Sequence, residues 1–214
     1  MTDYLIALSK GETLSATERE RIAKQLVQYT GLTREIVLER RLRIGPLNFG
    51  KHFPRPSGQM LGRFDGRVTA SDSGADRDSD TDPSFFLVTG PWVEALNHCL
   101  RETFQYRSDL RYEYLSRDAN RSWKWRTGGQ GYLYVADELA EAMARDPRLR
   151  VFAAAGYYDL ATPYYAQRYT FDHMQLGAEG RDHLTFVAYP SGHMIYTDPA
   201  AAMALRNDVE RFVR

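Results

Sequence analysis

Two short segments constrain this chain more than anything else in it: residues 151–163, VFAAAGYYDLATP, and residues 184–196, LTFVAYPSGHMIY. Each is an apolar run of strand length that breaks into a loop carrying one residue suited to acid–base chemistry. The first run ends at Gly156; Asp159 follows, and Pro163 opens a helix, since proline is tolerated in a first turn. The second breaks at Pro190-Ser191-Gly192 and presents His193. Strands over 150–156 and 184–189, with a helical pattern over 163–176 between them and another over 199–213 after them, predict a βαβ unit. Its strands should be adjacent and parallel, joined by a right-handed crossover. Asp159 and His193 then leave the sheet at one carboxyl edge, where open α/β sheets place their active sites.

An acid and a histidine on loops after successive strands are the second and third members of a Ser-Asp-His triad, in the chain order Ser, Asp, His. The histidine takes the nucleophile's proton and passes it to the leaving group, while the carboxylate fixes its tautomer. The first member requires a serine on a sharp strand-to-helix turn between small residues, GxSxG, and no such pattern occurs in the 214 residues. Ser57, Ser73 and Ser191 have glycine nearby but do not stand between an apolar strand and an amphipathic helix. The expectation is therefore the later half of an enzyme. The plainer reading of the same residues is that Asp159 caps the helix at Pro163 and His193 is an ordinary loop histidine.

The segments Gly156-Tyr-Tyr-Asp-Leu-Ala-Thr-Pro163 and Ser191-Gly-His-Met-Ile-Tyr196, with the stretch 4–44, resemble the C-terminal part of bacterial serine carboxypeptidase-like proteins, the S10 peptidases. The resemblance runs through nearly the whole chain. It implies an α/β-hydrolase fold, of which this chain is the C-terminal portion with a mainly helical cap. It also implies a triad whose acid and histidine match Asp159 and His193. The nucleophile, the oxyanion-hole glycines and the carboxylate-binding asparagine would lie in an N-terminal half outside these residues. The implied activity is hydrolysis of C-terminal peptide bonds, on a peptide substrate, without a cofactor. The implied partner is the missing half or a second copy of the chain, and the implied location is periplasmic or secreted. Tyr157 and Tyr158, next to the acid, and Met194, after the histidine, are candidates to border the substrate pocket, with packing the alternative for each. Two other classes stay open: a non-catalytic binding or interaction module, and another α/β-hydrolase such as an esterase.

Charge argues against nucleic acid or an anionic membrane as partner, because Lys+Arg and Asp+Glu both number 28. At 43% apolar and 26% charged residues the composition is that of an ordinary folded protein. The single cysteine, Cys99, excludes an internal disulfide framework. No apolar stretch approaches the roughly 20 residues of a membrane helix, and MTDYLIALSKGE is too short in apolar run and too acidic at its start for a signal peptide.

The rest of the chain divides into residues 1–84, a helical cap with an irregular acidic linker, and 85–214, the remainder of the cap and the core. Ser15-Ala-Thr-Glu18 is a capping box, and Ile22, Leu26 and Tyr29 follow at helical spacing. Thr33 begins a second helix, with Ile36, Val37, Arg40 and Ile44, ended by Gly45-Pro46; the pair is joined through Gly31. Residues 71–84, SDSGADRDSDTDPS, hold five aspartates and read as a solvated loop. A calcium loop over Asp76, Asp78, Asp80 and Asp82 lacks the required glycine at its sixth position. A helix is expected over 91–104 with Val93, Leu96, Leu100 and Phe104 on one face, and another over 134–145 with Val135, Leu139, Ala142 and Met143 inward. Trp123 and Trp125 either line a cleft or pack. No His, Cys or carboxylate set has zinc spacing, and His52, His98, His173 and His183 have no metal partners in sequence.

Overall fold

The computed structural model describes residues 2–53, 59–71, 82–110, 112–124 and 134–214. The chain is a mixed α/β protein that divides into two units: Met1–Phe85 with Tyr158–Ala161, and Phe86–Tyr157 with Thr162–Arg214.

The first unit is built on helices α1 (Thr2–Lys10), α2 (Ala16–Thr30) and α3 (Arg34–Glu39). The capping box forms: the Glu18 amide donates to Ser15 Oγ at 3.2 Å, and the Ser15 hydroxyl donates to the Glu18 carboxylate at 2.8 Å. The Lys10 ammonium and the Ser15 hydroxyl hold the Glu18 carboxyl below its usual range. Gly31 ends α2 at φ 69°, a left-handed position that glycine takes without a Cβ clash. Ile22, Ala23, Leu32, Val37 and Leu42 form the buried centre.

Helix α3 stops at Glu39, earlier than the spacing of Ile36, Val37, Arg40 and Ile44 predicts. Arg41 and Leu42 turn into the left-handed region at φ 51° and 65°, which costs an ordinary residue about 1–2 kcal/mol. Burying Leu42 returns roughly 1.5–3 kcal/mol. Its carbonyl also accepts the Tyr4 hydroxyl at 2.7 Å, and its amide donates to Val37 O at 3.0 Å. Gly45-Pro46 is then not a helix end but a start: Gly45 is the N-cap and Pro46 the first residue of α4 (Pro46–His52).

A short antiparallel hairpin follows, β1 (Gln59–Leu61) paired with β2 (Thr69–Ser71). Asp82 anchors it. One carboxylate oxygen accepts the Arg63 amide at 2.8 Å; the other accepts the amides of Ser84 and Phe85 at 2.9 and 3.3 Å, capping helix α5 (Pro83–His98). Ser84 Oγ in turn accepts the Phe64 amide at 3.0 Å. So Asp82 serves as a helix cap, while Asp76, Asp78 and Asp80 of the calcium-loop reading lie outside the described residues.

Helix α5 begins eight residues before the expected 91, and Pro91 lies inside it; Cys99–Thr103 continues it as a π turn. Proline tolerates the helical φ but lacks the amide that would bond Leu87 O, which is why the sequence pattern reads as a boundary there. Helix α6 (Arg117–Ser122) is short, and Trp125 lies outside the described residues.

The second unit contains helix α7 (Ala136–Arg145), strand β3 (Val151–Gly156), helices α8 (Tyr164–His173) and α9 (Ala178–Asp182), strand β4 (Leu184–Tyr189) and helix α10 (Pro199–Val213). Strands β3 and β4 are parallel and in register from Val151↔Leu184 to Gly156↔Tyr189, as the two apolar runs predict. Strand alternation assigns the faces. Val151 and Leu184 meet Met143, Met174 and Phe171 from α7 and the end of α8; Ala154, Val187 and Tyr189 meet Ile195, Ala201 and Leu205 on the α10 side. The sheet is thus covered by helices on both faces, as parallel strands require. The inward face of α7 is Ala136, Leu139, Ala140 and Met143, while Val135 and Ala142 are exposed. Leu139 and Met143 face inward as expected, while Ala136 and Ala140 stand where Val135 and Ala142 were expected, Val135 preceding the helix as its N-cap.

Tyr189 ends β4 buried, and its hydroxyl donates to Asp208 Oδ2 at 2.7 Å on α10, where Asp208 also pairs with Arg211. Burial first, and the Asp208 carboxylate second, push the Tyr189 phenol well above its usual value. The unfolded chain therefore releases that proton first. The contribution is fully present below about pH 10 and is lost as pH rises from there toward the folded value. We expect thermal melts to show stability falling above about pH 10, and Tyr189→Phe to flatten that limb. An unchanged alkaline limb in the variant would assign it to other groups.

Candidate active site

The site residues emerge from the carboxyl ends of β3 and β4. Gly156, the last residue of β3, lies against the loop after β4: a Cβ built on it would sit 2.1 Å from the Gly192 carbonyl oxygen and 2.4 Å from that of Ser191. Only glycine permits this approach of two backbones. The Tyr189 carbonyl stitches the loops together, accepting the amides of Tyr157 at 2.9 Å and Ser191 at 2.8 Å. Ser191 is fully buried and its hydroxyl faces the Ile195 carbonyl at 3.5 Å, so it supports the turn rather than facing solvent.

That buried turn pushes His193 outward. Its ring is exposed, and Nδ1 stands 3.2 Å from Thr162 Oγ1. Met194, half-buried, is held by its carbonyl, which accepts the Thr197 amide at 3.0 Å and the Thr197 hydroxyl at 2.7 Å. Tyr196, in the following 3-10 turn, stacks on Trp92 with ring centroids 5.2 Å apart. Asp198 then caps α10, accepting the amides of Ala200 and Ala201 at 3.1 Å each. Tyr157 is half exposed and packs edge-on against Tyr164 at 4.9 Å.

Asp159 falls with the first unit and His193 with the second. Asp159 is 4% exposed, and its Oδ1 accepts the Ala161 amide at 2.7 Å, the turn-forming bond expected of an aspartate two residues upstream. The peptides on either side of it are gripped by the loop between β1 and β2. The Gly66 amide donates to Tyr158 O at 2.9 Å, and the Leu160 amide donates to Arg63 O at 3.0 Å. Since the Arg63 amide is itself bound by the Asp82 carboxylate, a continuous set of hydrogen bonds runs from the α5 cap to the Asp159 turn. The Arg67 guanidinium stands 4.5 Å from the Tyr158 ring centroid.

Asp159, in the first unit, is thus a buried carboxylate three residues after β3, and His193, in the second, is an exposed imidazole four residues after β4. Sequence reading missed Thr162 and the hairpin loop. The first had a weak signal, a hydroxyl residue directly before Pro163; the second had none, because Arg63 and Gly66 act through their backbones. Among the described residues no three His, Cys, Asp or Glu side chains converge to hold a metal ion, and no helix is long and apolar enough to cross a membrane. No protein-family model, no curated protein and no solved structure matches this chain.

Proposed function

We propose that this chain is the acid- and histidine-bearing portion of an S10-like serine carboxypeptidase with an α/β-hydrolase core, Asp159 being the orienting acid and His193 the general base. The observation that carries the reading is the placement of Asp159 three residues after β3 and His193 four residues after β4, on loops that follow adjacent parallel strands. That is the chain order and sheet position of the last two triad members. The resemblance of GYYDLATP and SGHMIY to the S10 family supplies the substrate class, the C-terminal peptide bond.

The nucleophile, in this reading, comes from polypeptide outside these 214 residues, and that polypeptide is the partner. Two features of the second unit support a partner. Among the described residues its sheet has only two strands, fewer than an independent sheet needs. It also leaves Phe86, Leu87, Phe104, Leu110 and Trp123 more than half exposed.

The test uses the polypeptide as its own cell makes it, purified through a tag after Arg214 and treated with a fluorophosphonate probe. Labelling of one serine outside these residues is expected, together with release of the C-terminal residue from a blocked dipeptide. The 214 residues expressed alone should not label, because an activated nucleophile and oxyanion donors are required. A native species that neither labels nor cleaves would leave the non-catalytic binding module as the reading, and cleavage of simple esters but not peptides would favour an esterase.

A further inference from the structure

We infer that the first unit carries a binding site for a small amphipathic carboxylate, held by Arg19, Arg41 and Arg43 over an apolar floor. A surface cavity of about 360 Å³ is lined from α1, the 3-10 turn Gly11–Thr13, α2 and the turn after α3. That size lies within the range of pockets that hold small molecules. The floor is Ala7, Leu14 and Leu42, all buried and all part of the apolar centre of the unit. The walls carry the three guanidiniums and one carboxylate, Glu12. Like charges above a low-dielectric floor focus their field, and a guanidinium presents paired donors that match the two oxygens of a carboxylate.

The positive charge is not offset from within. Arg19 is half-buried, yet among the described residues its guanidinium has no hydrogen-bond or ion-pair partner. The acids beside it in sequence are already engaged, Glu18 by Lys10 and Ser15, and Glu20 by Arg34 at 2.6 and 2.8 Å. Arg43 donates to the Arg41 carbonyl at 3.4 Å, which offsets no charge. Arg41 stands 3.4 Å from Glu12 Oε1, but both side chains are largely exposed, and such a pair contributes little.

The backbone gives a second, independent sign. Arg41 and Leu42 are consecutive non-glycine residues in the left-handed region, and strain of this kind collects at ligand clamps. Its effect here is to put Leu42 in the floor and its two sequence neighbours in the wall of one cavity. The floor favours an organic body over a bare ion. A carboxylate carrying an apolar group the size of a leucine or phenylalanine side chain meets both parts. None of these residues belongs to the loops of Asp159 and His193, so the site stands apart from the hydrolase reading.

The test is calorimetric titration of the 214-residue chain with N-acetylphenylalanine at low salt. Saturable binding is expected, with a Kd of about 1 mM or lower that weakens as salt is added. N-acetylphenylalanine amide, which lacks the carboxylate, and acetate, which lacks the apolar body, should each bind at least about 10-fold more weakly. Arg19→Gln should lower the affinity roughly 10- to 100-fold, the effect of one lost charge-assisted bond. Arg41→Gly should do the same while melting within about 2 °C of the parent or above it, because glycine takes the left-handed conformation without strain. Loss of binding in that variant is then not loss of fold. Arg206→Gln, on α10, should bind as the parent does. No saturable binding, or binding that both Arg19→Gln and Arg41→Gly leave intact, overturns the site. Binding lost with His193→Ala but kept in the arginine variants would place the ligand at the His193 loop and overturn it equally. Acetate or inorganic phosphate binding as tightly as N-acetylphenylalanine overturns the amphipathic assignment.

Discussion

Replacing His193 with alanine in the nucleophile-containing native polypeptide should lower turnover of a blocked dipeptide roughly a millionfold, with only the residual catalysis of binding and oxyanion contacts remaining. The exposure of the ring makes this a clean experiment, since an exposed loop side chain contributes little to the fold. The variant should melt within about 2 °C of the parent, a surface-substitution effect. Asp159→Asn should cost roughly ten-thousandfold, because an amide in place of the carboxylate favours the wrong tautomer and cannot steady the imidazolium. Asp159 is buried and its Oδ1 holds the Ala161 amide, so asparagine, which keeps an acceptor oxygen, is the informative change. Turnover within tenfold of the parent in His193→Ala would remove the triad assignment for this chain.

The second large effect is structural. Gly156→Ala should cost more than about 4 kcal/mol and lower the melting midpoint on the order of 10 °C, or yield no folded product. The new methyl would overlap the Gly192 carbonyl oxygen at 2.1 Å, the Ser191 carbonyl oxygen at 2.4 Å and the Gly192 carbonyl carbon at 2.7 Å. All three are backbone atoms, and the Ser191 amide is already bound to Tyr189 O, so no flexible side chain can yield. Moving 191–192 aside pulls the loop that carries His193 away from the end of the sheet. Gly90→Ala is the matched control. Its Cβ meets nothing within 4 Å inside α5, and replacing a helical glycine by alanine should leave stability unchanged or raise it by about 0.4–1 kcal/mol. A Gly156→Ala protein melting with the parent would mean that the two loops do not approach as described.

Much of the second unit was legible because periodicity and punctuation agree there. The runs 151–156 and 184–189 are apolar, strand-length and bounded by loops, and they pair in parallel at the expected bounds, apart from Arg150. Helix α10 begins at Pro199, as its Asp-Pro start signal requires. In the first unit the capping box at Ser15 and the glycine stop at Gly31 were equally local, and both are present.

Tertiary structure decided the points at which a local preference was overruled. Helix α3 ends at Glu39, despite helical spacing that continues to Ile44: Arg41 and Leu42 turn into the left-handed region, where Leu42 is buried and its backbone is bonded to Tyr4 and Val37. Helix α5 runs through Pro91, a residue that any local rule treats as a boundary. The surroundings of Asp159 are set by backbone groups of Arg63 and Gly66, about 95 residues away in sequence, and backbone groups carry no residue-specific signal. The sequence by itself determined which residues can do acid–base chemistry and on which strands' ends they stand, because residue type and strand period are local properties. Only the tertiary structure decided that Asp159 is buried, that His193 is exposed and that Thr162 faces its Nδ1, because burial and contact depend on segments the local pattern cannot see.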